Sequence, residues 1–572
     1  MNKAPDSTSY KKLRCLRGVR PCPRAKRPTS FVYPSYIHRN PIVYPSLQHA
    51  DNTPAAPGQP ANQRLLHPGS KHHGTGWESH CVEWRCLSKL WRMRLVFAAL
   101  GFPLSLAAAL GLDLSLACAA EASYGGATAG WAEVEITPPL GIALGGRAGP
   151  QTPADKVLDP LYAQVLCLRD GNGSGFALAS FDVIGLPHDL SDRIRTRLVH
   201  ELGVDWNLVV LNASHTHSGP YTLRSLIAGV GPAPQIEVDY FKALEEKVVG
   251  AAQEAGKAMQ PVRVEVFQGS TDIGINRRGK DQQGRSAMNP DPRGPYDEKV
   301  WVLKLTPESG GPPAVVFSCA CHAVMVYGFA YSAISADFPG ATRRFLREAL
   351  GPKSHTQFVQ GFAGDIRPRA LADLDQGRFR TSKPADLERA GRELSSSVLA
   401  ALKTPGETLT LDITGTSDRP YLPRDKAPPR EGYEKMRANA LIQTNAYRLA
   451  VADYWLKRYD SGEGFARGDA SSLGLIRLAE NQWIVHCGGE PCIEWRPKMT
   501  AWLAPLKIVT WGYCQEARAY LPTESLLPEG GYEVLESNLA RANSPAPFAR
   551  GIENAIRESL LRQLAFIRAK AD

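Results

Sequence analysis

Beyond residue 92 this chain of 572 residues has almost no net charge. The formal +10 of the whole is carried by residues 1–92, which hold 15 Lys and Arg against 4 Asp and Glu. The body therefore offers no electrostatic case for a nucleic-acid partner. It also lacks an internal repeat, which sets aside a repeat architecture, and a basic amphipathic helix of the kind that lies on membranes. No clean membrane-spanning run is present either, because Pro103 and Asp113 interrupt the one long apolar stretch. Cys319-Ala320-Cys321-His322 is not accompanied by a second cysteine pair at ligand spacing. Cys319 and Cys321 then read as buried thiols on one strand face instead of a zinc clip.

What is present begins with a leader rich in Pro and Arg, without sustained periodicity, over residues 1–92. It reads as a basic segment with no packed core, or as sequence upstream of a start at Met93. Residues 93–122 have the order of a secretory signal: Arg94, an apolar stretch from Leu95, and small residues at Ala117-Cys118-Ala119-Ala120 before Glu121. Cleavage is expected near residues 119–122, giving a secreted or periplasmic protein. The residues before Cys118 fit a lipoprotein signal poorly. Of eleven cysteines, Cys167, Cys319, Cys321, Cys487, Cys492 and Cys514 follow that point. Spacing leaves their pairing open, that of Cys487 with Cys492 included.

Residues 123–572 alternate short apolar runs with helical patterns. Strands are expected at Gln164 to Leu168, Gly175 to Ser180, Asn207 to Leu211, Val262 to Gln268, Val300 to Leu305, Ala314 to Phe317, Gln357 to Val359 and Trp483 to His486. Helical spacing recurs over Leu190 to Leu202, Tyr240 to Ala258, Gly340 to Ala349, Ala385 to Leu402 and Ile552 to Lys570. One long polar helix is expected over Glu431 to Arg458. Alternation of this kind implies an α/β fold, a layered mixed sheet with flanking helices. The terminal helix leaves no room for a further β-domain.

Several strand ends carry chemically capable residues, and sites in layered α/β proteins gather at such ends. His215-Thr216-His217 closes the run Leu208 to Leu211, His322 follows Cys321, Asp365 follows Gln357 to Val359, and Glu490 follows Trp483 to His486. Tyr513, Tyr520 and Tyr532 come later. Imidazole, carboxylate and phenolate suit tetrahedral zinc, but spacing does not select ligands from thirteen histidines and many acids.

The selection comes from likeness. Asn212-Ala213-Ser214-His215-Thr216-His217-Ser218-Gly219-Pro220, Gly274-Ile275-Asn276-Arg277-Arg278, His322 with Ser335 to Gly340, Gly361 to Arg369, and Gly489-Glu490 together resemble the catalytic domain of the neutral/alkaline non-lysosomal ceramidase family over about residues 130–570. The resemblance implies zinc held by His215, His322, Glu490 and a tyrosine, taken as Tyr520 with Tyr513 as second choice. It implies His217, Arg277 and Tyr532 around a substrate amide, and Gly146 at the site wall. The function expected is a secreted zinc-dependent amide hydrolase acting on a small-molecule or lipid substrate, with association to a membrane surface compatible with a lipid hydrolase. An esterase or amidase on a non-ceramide substrate, and a non-catalytic binding protein that keeps the fold, are the alternatives.

Two departures bear on the substrate. Where the family reads Gly-Asp-Val-Ser-Pro-Asn, this chain has Gly364-Asp365-Ile366-Arg367-Pro368-Arg369 and no serine. The family's carboxy-terminal β-domain has no counterpart in the sequence. Without the serine, the simplest mechanism rests on the metal, with His217 passing a proton, Arg277 and Tyr532 holding the oxyanion, and Asp365 orienting a ligand histidine. Arg367 and Arg369 favour an anionic substrate if they face the cleft and are solvated surface if they face outward.

Overall fold

The computed structural model describes residues 126–147 and 152–571. The expected leader, signal segment, cleavage site and Cys118 lie outside the described residues.

A nine-stranded sheet forms the main layer. Its principal strands are β1 (Thr128–Glu135), β2 (Tyr162–Arg169), β3 (Gly175–Phe181), β4 (Val209–Ala213), β5 (Gln260–Ser270), β6 (Lys299–Pro307), β7 (Ala314–Cys319) and β8 (His355–Gln360), in the spatial order β8-β7-β6-β5-β1-β2-β3-β4. The short Glu407–Thr408 strand pairs beside β5. β3 with β4 and β7 with β8 are parallel, and the other principal neighbours are antiparallel. Both parallel pairs arise from crossovers through a helix, α1 (His188–Leu202) and α3 (Asp337–Leu350), as parallel pairing requires. Between them in the chain lies α2 (Gln235–Lys257).

Apolar periodicity places these helices. α1 buries Leu190, Ile194, Leu198 and Leu202, one stripe at helical spacing, each worth about 1.5–3 kcal/mol in burial. A charge at Leu198, which is fully buried, would break that face. α2 packs so closely on β1 that a Cβ at Gly130 would meet the Ala255 carbonyl at 2.0 Å. α4 (Pro384–Ala401) starts with proline at its first position, and Asp386 accepts from the Lys383 N–H at 2.8 Å.

The sheet curls until its end strands meet. Gln360 on β8 donates its backbone N–H to Asn212 Oδ1 on β4 at 2.9 Å, and Asn212 Nδ2 donates to Gln360 O at 3.3 Å and Gly512 O at 2.8 Å. The segment Gly512 to Gln515 covers the seam from outside, with Gly512 N–H on Gln360 O and Gln515 N–H on Leu211 O.

A second, four-stranded sheet comprises β9 (Thr414–Asp418), β10 (Leu473–Ala479), β11 (Gln482–Cys487) and β12 (Ile508–Trp511). The helix α8 (Ile552–Ala571) packs near β9 and β10, where Gln563 donates to Leu473 O. The shorter helix α7 (Trp495–Trp502) follows Glu490.

The single helix expected over Glu431 to Arg458 is a hairpin: α5 (Arg430–Ile442) and α6 (Ala446–Asp460). Thr444 turns the chain at φ 49°, and Asn445 caps α6 by accepting from the Arg448 N–H. Polar periodicity ran through the turn, hiding it. The hairpin buries Tyr433, Val451 and Trp455 against Ala228. The six described cysteines are all buried and unpaired, so Cys487 and Cys492 form no disulfide. No helix among the described residues is long and apolar enough to cross a membrane.

Candidate metal centre

The centre lies at the carboxyl ends of β4, β7 and β8, facing the loop beyond β11. His215 sits two residues past β4 in the left-handed region, φ 62°, with its N–H on Val183 O. That conformation is sparsely populated for a residue with a side chain. It turns the ring inward while His217 N–H bonds Ala323 O, tying the loop to the one after β7.

Two imidazoles are anchored alike. His215 Nδ1 is 2.6 Å from Ile184 O, and His322 Nδ1 is 2.6 Å from Ala363 O and 3.1 Å from Ile366 O. A carbonyl can only accept, so each Nδ1 carries the proton and each Nε2 is left with its lone pair. Those lone pairs converge on Glu490: His215 Nε2 lies 3.1 Å and His322 Nε2 3.5 Å from Glu490 Oε2. His322 Nε2 is also 3.4 Å from the Tyr520 hydroxyl.

His215 Nε2, His217 Nε2, Glu490 Oε2 and the Tyr513 hydroxyl are buried with no hydrogen-bond partner. Such clustering of orphaned donors and acceptors is costly unless a further group satisfies them. Lone pairs and a carboxylate oxygen turned toward one point fit a cation. His215, His217 and His322 can hold a metal ion, their ligand atoms lying within 4.8 Å of one another.

Electrostatics agree. Burial raises the Glu490 carboxyl, but His215 and His322 outweigh it and hold the group well below the usual carboxylate range. Burial, reinforced by Arg277, lowers His322 to about 3. Burial, then His215 and His322, keeps His217 well below the ordinary imidazole value. Tyr513 and Tyr520 are pushed upward by burial and next by Glu490. A cation at this point would reverse the sign of that last effect.

The sequence-derived residues divide as follows. His215, His322, Glu490 and Tyr520 converge, with Glu490 and Tyr520 paired in a short parallel bridge. Tyr513 also belongs to the centre, its ring 4.4 Å from that of His215. Arg277 Nη1 reaches within 3.4 Å of His322 Nε2 while its Nε bonds Glu533 at 2.8 Å. Tyr532 stands beside Tyr520, ring centroids 5.4 Å apart. Gly146, at φ 74°, forms a wall where a Cβ would meet His217 Nδ1 and Ile184 Cδ1 at 2.6 Å.

The His217 ring, expected beside the substrate amide as a proton carrier, lies 4.8 Å from that of His215 and 5.6 Å from that of His322, and the turn at His215 breaks the extended alternation between them. Asp365 was expected to orient a ligand histidine and makes no direct hydrogen bond to one. Its oxygens accept from Ile493 N–H at 2.7 Å and Asn276 Nδ2 at 3.0 Å, while backbone carbonyls hold His322.

Arg367 and Arg369 part company. Arg369 faces outward to Asp272 at 2.8 Å. Arg367 turns inward, with Nη2 on the Tyr327 hydroxyl at 3.0 Å and its guanidinium over Phe379. Sequence reasoning missed Arg147, Tyr327 and Arg541. Arg541 lies 3.9 Å from Glu490 Oε1, and Tyr327 stacks on His217 with centroids 5.9 Å apart. Tyr327 lies five residues past His322, which is the only local signal for it.

No protein-family profile matches the chain, and no curated protein matches it. Solved structures do. Neutral ceramidase from Pseudomonas aeruginosa is similar at a TM-score of 0.58 and 13% identity, over 78% of this chain and 75% of that one. A ceramidase complexed with C2 is similar at 0.57 and 15%, over 78% and 76%. The mixed sheet and its flanking helices thus share the fold of the neutral ceramidases.

Proposed function

We propose that the protein is a zinc-dependent hydrolase of N-acyl amides, with a lipid amide as the substrate class nearest to the ceramidase likeness. The observation that carries this reading is the pair of carbonyl-anchored imidazoles turned onto Glu490 among orphaned polar atoms. His215, His322 and Glu490 would hold the ion, with Tyr520 as the fourth donor. When bound, zinc supplies Lewis acidity and lowers the pKa of water toward about 7.

The chain's own residues then have distinct tasks. Metal-ligating histidines usually donate their second ring nitrogen to a fixed partner. His215 and His322 do so; the ring of His217 makes no hydrogen bond among the described residues, which favours a proton carrier over a third ligand. Neutral at pH 7, His217 Nε2 can take the proton of an attacking water and return it to the leaving nitrogen. Arg277, charged and held by Glu533, presents its unpartnered Nη2, and Tyr532 stands on the same side; both suit a developing oxyanion. Asp365 fixes the loop whose Ala363 carbonyl sets the tautomer of His322. The signal-like residues 93–122 support export.

The test is hydrolysis of short N-acyl amides by the protein as purified, after chelation, and after zinc is restored. Activity that disappears with the chelator, returns with zinc and is absent in Glu490→Gln supports the reading. Turnover that survives exhaustive chelation refutes it.

A further inference from the structure

Buried guanidinium groups in this protein are, as a rule, matched by carboxylates. Arg277 and Arg278 share Glu533, Arg343 meets Asp182, Arg424 meets Asp469 and Arg224 meets Glu237. That is the expected state, since an unpaired buried charge is strongly unfavourable. Two half-buried arginines beside the candidate centre have no such carboxylate partner among the described residues. Arg147, next to the wall glycine, donates Nε to His217 O at 3.3 Å and lies over the Tyr331 ring at 4.4 Å, while Nη1 and Nη2 are buried with no partner. Arg367 has a phenol, a thioether and the Phe379 ring around it, and its Nε is buried and unpartnered. Neither has a carboxylate in ion-pair range among the described residues.

Tyr327 and His217 link the two cations: Arg367 donates to the Tyr327 hydroxyl, the Tyr327 ring stacks on His217, and the His217 carbonyl accepts from Arg147 Nε. The two unmatched charges therefore flank the face of the centre from which His217 acts. Burial lowers Arg147 to about 10 and depresses Arg367, and a guanidinium group keeps its proton at neutral pH. Planar forks with free N–H groups in a partly dry site are suited to an oxyanion.

We propose that Arg147 and Arg367 form an oxyanion-binding subsite around Tyr327 and His217, and that the substrate is an N-acyl compound bearing a carboxylate, sulfonate or phosphate near its amide. The substrate part rests on the amide-hydrolase reading; the subsite does not. It gives the arginine at position 367 a role in selecting substrate.

The experiment measures binding separately from turnover. Dissociation constants of N-hexanoylglycine, N-hexanoyltaurine and N-hexanoylglycine methyl ester are obtained by calorimetry on the purified protein, its chelated form, Arg147→Gln, Arg367→Gln and the double variant. Melting curves identify any variant that is unfolded. The acids should bind at least about tenfold more tightly than the ester in both forms of the parent. The double variant should bring the ratio close to one, and the tighter acid names the preferred oxyanion. Equal binding of acid and ester by the parent overturns the proposal without any variant, as does an undiminished ratio in a folded double variant. A persistent tenfold preference without hydrolysis of any compound supports the subsite and counts against the hydrolase reading alone.

Discussion

His215 Nε2 and Glu490 Oε2 lie 3.1 Å apart although they enter from different sheets, one beyond β4 and the other beyond β11. Neither sheet alone holds all the ligands proposed above. A residue change at either end should thus have the same consequence for the metal.

Elemental mass spectrometry of residues 123–572 should find about one zinc ion per chain. His215→Ala and Glu490→Gln should each lose it, together with hydrolysis. Zinc retained in both variants would show that the ion is held elsewhere.

Gly146→Ala should cost about 1–2 kcal/mol in stability, because φ 74° is left-handed and the new methyl would strike His217 Nδ1 and Ile184 Cδ1. Its kcat should fall at least about tenfold with zinc retained, since the displaced ring is the proton carrier. Joint loss of zinc and activity would instead make His217 a ligand.

The acid limb of the rate profile should fall below the ordinary imidazole range. His217 is held well below 6.5 by burial and by its two neighbouring imidazoles, and it must be neutral to take a proton. Lowering the pH through 6.5 should leave kcat on its plateau. An inflection at 6.5 or above would report the titration of a group other than His217.

Asp337 gives a stability prediction of opposite sign from a common surface carboxylate. Burial raises it to about 6, against hydrogen bonds from Val326, Phe338 and Met325 N–H. A raised carboxyl contributes stability that is complete below the unfolded value near 4 and is lost as pH rises through about 6. Asp337→Asn removes that titration. Relative to the variant, the parent should lose on the order of 2 kcal/mol between pH 4 and pH 7, read from denaturant midpoints.

The apolar runs made most of the main sheet legible, and its strands extend those runs by only a residue or two at most ends. β1 was not legible: its sequence includes Gly130 and two glutamates, and it is held by pairing along its whole length with β2 and by the close approach of α2 at Gly130. β9, β10 and β12 were missed as well: β9 is Thr-Gly-Thr-Ser-Asp, Gly474 and Arg477 interrupt the apolar run of β10, and β12 is only four residues long. At the centre, His215, His322, Glu490 and Tyr520 came through likeness in ordered motifs. The reach of His217 depended on one positive φ, and the counter-ion deficit around Arg147 and Arg367 exists only after folding brings them to Tyr327 and His217.

The Asn212–Gln360 seam gives the centre a mechanical meaning. His215 stands three residues beyond one side of that closure, and Gly361 to Asp365 run on from the other. An ion gripping His215 and His322 would act as a clasp on a rolled sheet, resisting its unrolling along the one line where the main-chain ladder is interrupted. Loading should accordingly slow hydrogen exchange at Asn212, Gln360 and Gln515 more than at the middle strands, making the seam a reporter of occupancy.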